Sequence, residues 1–214
     1  DNTPELHPIK IVNGHYVNAD KELPSTKCQF MVTEDHLREM ARCASDICYF
    51  AENYFYIENM DLGEMKIKLY PAQRRVLKAM VNHNFNVVRA SRQIGKSTMT
   101  QIFVLWTACF KKNQKIAILA NKEQTAMGII DRIGLAYRRL PIWLKPGVED
   151  WSKKKISFDN TNSRSEITSA PTSKTGIRGM SCNVVVIDEA AFIDESLVKE
   201  FWESVFPVIS SSKN

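Results

Sequence analysis

The chain has 214 residues, 44% hydrophobic and 25% charged, which fits one ordinary folded domain and excludes a disordered or collagen-like chain. Lys plus Arg number 29 and Asp plus Glu 24, a net charge of +5 that permits an anionic partner without demanding one. No run approaches the roughly 18 consecutive apolar residues of a membrane span, and the polar start with Pro4 and Pro8 does not read as a signal peptide. The cysteines are odd in number with no C-x-x-C pair, so they are expected as reduced thiols in a cytosolic protein. The histidines are scattered and suggest no metal site.

Residues 1–30 read as a turn-rich N-terminal arm. Within it, Ile9 to Val17 around Asn13-Gly14 predicts a small hairpin, because Asn-Gly accepts the positive φ of a type I′ turn. Residues 31–65 read as a helical, aromatic-rich segment. Thr33 before Glu34 and Asp35 marks a helix start, and the spacing predicts helix to about Asn59. Its Cys48, Tyr49, Phe50, Tyr54, Phe55 and Tyr56 are expected in the core. From Lys66 the pattern alternates strand and helix, the mark of a parallel α/β sheet. Strands are predicted at Asn86–Arg89, Ile116–Leu119 and Val184–Ile187. Helices are predicted at Ser97–Phe110, Lys122–Leu140 and Glu195 to about Val205, the last with Trp202 inward. Ile156–Phe158 and Glu166–Thr168 read as an antiparallel hairpin.

Ala90-Ser-Arg-Gln-Ile-Gly95-Lys96-Ser97 lies between a predicted strand and a predicted helix. It matches the phosphate-loop pattern G-x-x-x-x-G-K-[ST] except that Ala90 replaces the first glycine. The physics survives that change: turn N–H groups and the helix N-terminus bind phosphate, and Gly95 lets the backbone come close. Lys96 then reaches the β- and γ-phosphates, and the Ser97 hydroxyl ligates Mg²⁺. Ser91, Arg92, Gln93, Ile94, Gly95, Lys96, Ser97 and Thr98 are therefore candidate nucleotide contacts. Downstream, Val184 to Ile187 runs into Asp188-Glu189. Two acids ending a buried strand need partners or a task. Asp188 is the candidate Mg²⁺ residue and Glu189 the candidate base for an attacking water.

These residues carry a family resemblance. Tyr70-Pro-Ala-Gln73-Arg74, Ser91 to Ser97, Ile187-Asp-Glu-Ala-Ala-Phe-Ile193 and Pro207-Val-Ile-Ser-Ser211 resemble the ATPase domain of the large terminase subunit of tailed bacteriophages, closest to the myovirus type, over about residues 40–214. The resemblance implies an α/β P-loop NTPase of the additional-strand, catalytic-glutamate class, with a mostly parallel sheet flanked by helices and an N-terminal helical segment. It implies ATP and Mg²⁺ as cofactors, and a motor that threads double-stranded DNA through a portal protein into an empty capsid. Further implied partners are a small terminase subunit and neighbouring copies in a ring. The implied place of action is the cytoplasm of the infected host and not the mature virion. In the family the Y-x-x-Q glutamine reads adenine, which maps to Gln73, and the loop arginine senses phosphate or acts as a finger, which maps to Arg92.

Arg178, flanked by Gly176 and Gly179, is a further candidate finger or DNA contact. Of the basic clusters Lys111-Lys112, Arg138-Arg139 and Lys153-Lys154-Lys155, the last is the leading candidate for phosphate-backbone contact. The resemblance also implies a C-terminal nuclease domain, and a strand carrying a coupling motif after the acid pair. Residues 66–214 are accordingly expected to be a P-loop core truncated before that strand, completed by a further segment and poorly stable alone. Two other readings fit the same motifs: a superfamily 2 helicase fragment, and a nucleotide-binding assembly module inactive without a complementing segment.

Overall fold

A computed structural model describes residues 4, 6–59, 63–91, 93–120, 122–159, 163–171, 182–192, 199, 202 and 203. Its centre is a five-stranded mixed sheet. In spatial order the strands are β6 (Gly147–Trp151), β7 (Lys155–Asp159), β8 (Arg164–Pro171), β5 (Lys115–Ala120) and β9 (Val184–Ile187). β8, β5 and β9 run parallel, with Ile118 opposite both Ser169 and Val186. β6, β7 and β8 run antiparallel, and β7–β8 is the expected hairpin. β5 reads Lys-Ile-Ala-Ile-Leu-Ala and is buried from Ile116 onward, as an inner parallel strand must be. β9 is half-buried throughout rather than fully buried.

Two long helices pack on the sheet and on each other: α4 (Lys96–Phe110) and α5 (Glu123–Arg139). α4 is apolar around most of its circumference, and Met99, Ile102, Val104, Leu105, Trp106 and Ala108 are all buried. α5 ends before Pro141, whose missing N–H and ring stop a helix.

The N-terminal helical segment divides in two. α1 (Glu34–Ser45) starts at Thr33, whose N–H donates to His36 Nδ1 at 3.2 Å. It stops at Asp46, which is extended and caps α2 (Ile47–Tyr54) by accepting from the Cys48 and Tyr49 N–H groups. Helix does not continue to Asn59. Tyr56–Asn59 is β3, paired antiparallel with β4 (Gly63–Lys66), because the β-favouring Tyr56-Ile57 pair leaves the helix at extended Phe55. Cys48, Phe50, Tyr54 and Phe55 are core residues as expected. α3 (Pro71–Asn82) follows, with Pro71 in its first turn, and α2 and α3 both pack on α4. The Trp106 indole N–H on α4 donates to the Cys43 carbonyl of α1 at 2.8 Å.

Glu39 is the buried polar pivot of this segment, accepting from the Tyr49 hydroxyl at 2.6 Å and the Tyr54 hydroxyl at 2.9 Å. Burial and the Glu39 carboxylate push the Tyr49 phenol up to about 12. Glu39→Ala leaves a buried hydroxyl without its acceptor. It is expected to cost about 3 kcal/mol in urea unfolding with no change in slope.

The arm differs from its prediction. β1 (Lys10–Asn13) pairs with β2 (Gln29–Met31), not with His15–Val17. Neither Asn13 nor Gly14 has the positive φ a type I′ turn requires, and the chain instead turns at Asn18 and Ala19 (φ 52 and 58). The arm then docks on the sheet margin: Leu23 is buried, and the Val148 N–H of β6 donates to the Pro24 carbonyl at 2.8 Å. Arg138, expected as part of an exposed basic cluster, is bound instead by Asp20 and Glu22, and Arg139 by Glu22 and Glu64.

Asn86–Arg89, predicted as a strand, is not one. No described strand pairs with it, so its backbone lacks a ladder partner, and Val87 is 98% exposed. The predicted helix from Glu195 lies mostly outside the described residues. Of it, Lys199, Trp202 and Glu203 are helical, and Trp202, expected inward, is 43% exposed. Among the described residues no helix is long and apolar enough to cross a membrane.

Candidate functional site

The loop from Ala90 to Gly95 turns into α4 through left-handed backbone at Gln93 (φ 63) and at Gly95 (φ 82), which is the helix N-cap. Gly95 suits this position on two counts. Its φ is costly for any other residue, and a Cβ there would lie 2.8 Å from Gln73 Nε2. Lys96, Ser97 and Thr98 form the first turn of α4, where N–H groups lack helical acceptors and the dipole favours anions. The Lys96 ammonium is half-buried and donates to the carbonyls of Ala90 (2.7 Å) and Ser91 (2.9 Å).

Gln73 is buried beneath this loop. Its Oε1 accepts from the Tyr70 N–H at 3.0 Å and its Nε2 donates to the Ile94 carbonyl at 3.0 Å. These partners fix the amide orientation, because the reverse would face donor with donor and acceptor with acceptor. One N–H of Nε2 remains for a further acceptor. α3 is itself held by Arg74, whose guanidinium pairs with Glu52 of α2, and Glu52 also accepts from the Leu69 N–H.

β9 delivers the acid pair. The Asp188 N–H donates to the Leu119 carbonyl at 2.8 Å, so the first acid sits at the C-terminal end of the parallel sheet, beside β5. That is where ligands bind in open α/β folds. Burial, and then the neighbouring Glu189 charge, raise the Asp188 carboxyl above the usual aspartate range. The positive charges of Lys96 and Arg132 partly offset the rise. Glu189 is exposed and left-handed (φ 54), and its N–H donates to Asp188 Oδ1 at 3.1 Å. Backbone of this kind in a non-glycine residue is strained and collects at functional sites.

The structure thus places Ser91, Gln93, Ile94 and Gly95 in one loop and Lys96, Ser97 and Thr98 in the first turn of α4, ties Gln73 of α3 to that loop at Ile94, and sets Asp188 and Glu189 at the end of β9. Arg92 and Arg178 lie outside the described residues. Lys153, Lys154 and Lys155 belong to the antiparallel margin of the sheet, where Lys154 pairs with Glu123 (2.5 Å) and Lys155 with Glu166 (2.9 Å). Sequence reading missed Arg132, since one arginine on an amphipathic helix carries no motif. It also missed the Gln73–Ile94 link, which only the fold brings together.

The donor set suits a divalent cation. A carboxyl whose charge is disfavoured by burial and by a second carboxylate gains from a metal, and the Ser97 hydroxyl in the first turn of α4 is a hard oxygen donor. For the same reason Asp188→Asn is expected to raise the melting temperature of the nucleotide-free chain at neutral pH. It is also expected to abolish the added stabilisation by Mg²⁺ and ATP, both read by differential scanning calorimetry.

The terminase large subunit, T4likevirus-type, N-terminal family model matches residues 87–213, more than half of the chain. Among solved structures, the Thermus phage P74-26 large terminase ATPase domain aligns at 20% identity with a TM-score of 0.57, covering 67% of this chain and 61% of that one. The HK97 bacteriophage large terminase aligns at 14% identity with a TM-score of 0.58, covering 79% of this chain and 35% of that one. The chain therefore spans about three fifths of the first structure and about a third of the second. Their shared fold is the P-loop NTPase fold expected from the loop and acid motifs. With the family model reaching from the phosphate loop past the acid pair, the chain belongs to the large terminase subunit family, T4likevirus type, in its N-terminal part.

Proposed function

We propose that this chain hydrolyses ATP to drive double-stranded DNA into a viral capsid. The observation that carries the reading is the left-handed Gly95 turn that opens α4 at Lys96, together with an acid pair, Asp188 and Glu189, at the C-terminal end of a parallel strand. Gln73 selects adenine with its remaining N–H. The N–H groups from Ser91 to Thr98 and the Lys96 ammonium hold the phosphates. Lys96 exchanges two neutral carbonyl acceptors for phosphate oxygens, a stronger charge-assisted partner. Ser97 and Asp188 hold Mg²⁺, which when bound neutralises phosphate charge and orients its oxygens. Glu189 takes the proton of the attacking water. Arg92 stabilises charge on the γ-phosphate, and Arg178 is the alternative finger.

Portal protein, small terminase subunit, a nuclease domain and a ring of copies are the partners that family membership favours for the motor, which acts in the host cytoplasm. The test is ATP turnover with and without duplex DNA. Turnover stimulated by DNA is the expected result. Tight ATP binding with no turnover, even with DNA and the rest of the protein supplied, would instead make the chain a nucleotide-binding assembly module.

A further inference from the structure

The chain's charge is unevenly placed. Of its 29 Lys and Arg, twelve fall in residues 65–122, which contain no Asp or Glu, while the other 17 share the rest of the chain with all 24 acids. Several cations elsewhere are neutralised: Arg38 by Glu34 and Asp35, Arg138 and Arg139 by Asp20, Glu22 and Glu64, Lys154 by Glu123, Lys155 by Glu166 and Arg164 by Glu149. Within the acid-free segment, Arg74 is paired with Glu52.

Three of the segment's other cations, Lys68, Arg75 and Lys78, lie on α3 or just before it. Ala72, Arg75, Lys78 and Asn82 are all exposed and recur at helical spacing, so they form one stripe. Lys68 and Tyr70 are exposed at its leading end, with Tyr70 70% accessible. Among the described residues Lys68, Arg75 and Lys78 have no acidic partner. A stripe of Lys, Arg, Tyr and Asn with small residues between them is the donor set that meets phosphate oxygens without reading bases. A motor that must move along any sequence needs contacts of that kind.

We infer that this outer face of α3, through Lys68, Arg75 and Lys78, is a surface that grips the phosphate backbone of duplex DNA. The inference deepens the motor reading and rests on it. Its consequence is direct coupling. The opposite face of the same helix presents Gln73, whose amide is bonded to the Ile94 carbonyl of the phosphate loop. A pull on α3 by DNA is therefore felt at the nucleotide loop through one rigid helix, and a change in the loop is felt on the DNA.

The test is fluorescence anisotropy of a labelled duplex several helical turns long, titrated with the chain in the absence of nucleotide between about 50 and 200 mM salt. The wild type is compared with a double variant, Arg75→Glu with Lys78→Glu, with its milder form, Arg75→Gln with Lys78→Gln, and with a triple variant at Lys153, Lys154 and Lys155 changed to Gln. Both α3 variants are expected to melt as the wild type does and to keep its turnover without DNA. The Gln form is expected to lower the log–log salt slope by about 2, and the charge reversal to weaken binding at least about tenfold at 0.1 M salt. A wild-type slope and affinity in the folded α3 variants overturns the inference, and would leave this face to an acidic protein partner. Loss of the slope in the 153–155 variant alone, or no duplex binding at the lowest salt, overturns it too. Because binding is read without nucleotide, a chain that grips DNA through α3 yet never turns over ATP would sink the motor reading and leave this one standing.

Discussion

Glu189→Gln is expected to lower ATP turnover by about 10²–10⁴ while leaving ATP affinity within about threefold of wild type. Glu189 follows Asp188 at the strand end, exposed and with left-handed backbone, and in the proposed mechanism it meets the attacking water and not the phosphates. Gln keeps the shape while replacing one acceptor oxygen by an NH₂ donor, and it removes the negative charge and the ability to take a proton. Steady-state phosphate release read beside equilibrium ATP binding separates the two effects. A variant that turns over ATP as fast as the wild type would remove Glu189 from the chemistry. One that no longer binds ATP would make it a binding residue instead.

Gly95→Ala is the second large effect. A left-handed backbone at a non-glycine residue costs roughly 1–2 kcal/mol, and the new methyl would press on Gln73 Nε2 at 2.8 Å. Relief requires the Gln73 side-chain end or the loop to shift, which disturbs the Gln73–Ile94 bond that ties α3 to the loop. ATP affinity is expected to fall at least about tenfold, since roughly 1.4 kcal/mol is a factor of ten. The fold itself is expected to survive, because the glycine sits on a half-buried loop outside the sheet. Calorimetric titration with ATP, beside a thermal melt, reads both. A Gly95→Ala chain that binds ATP as the wild type does would mean the left-handed turn is dispensable.

The sequence was most legible where one local rule acted alone. α4 and α5 follow from periodicity and from Pro141, and β5 follows from an unbroken apolar run. The phosphate loop and the acid pair were readable because their chemistry forces residue types at fixed spacing. Reading failed where tertiary contacts decide. Asp46 is a cap signal inside a long amphipathic pattern, and the split of α1 from α2 shows only once its side chain is seen accepting two N–H groups. Asn13-Gly14 is a strong turn signal that lost to pairing with Gln29–Met31, sixteen or more residues downstream. Asn86–Arg89 has strand propensity but no described neighbour to supply a ladder. At the site, the motif named Lys96 and Asp188 without showing that Gln73 of α3 is bonded to the loop at Ile94. The basic clusters misled in the same way. Arg138 and Arg139 are adjacent cations in sequence, yet Asp20, Glu22 and Glu64 neutralise them through contacts that only the fold creates.

Calorimetric titration of the chain with ATP in the presence of Mg²⁺, wild type beside Lys96→Ala, decides whether the Ala90–Ser97 loop binds nucleotide. A saturable site with one ATP per chain in the wild type, and binding weakened by at least about a hundredfold in Lys96→Ala, is the result expected when an ammonium–phosphate contact is lost. Equal ATP binding by the two proteins, or none by either, would contradict the assignment of this loop as a nucleotide site.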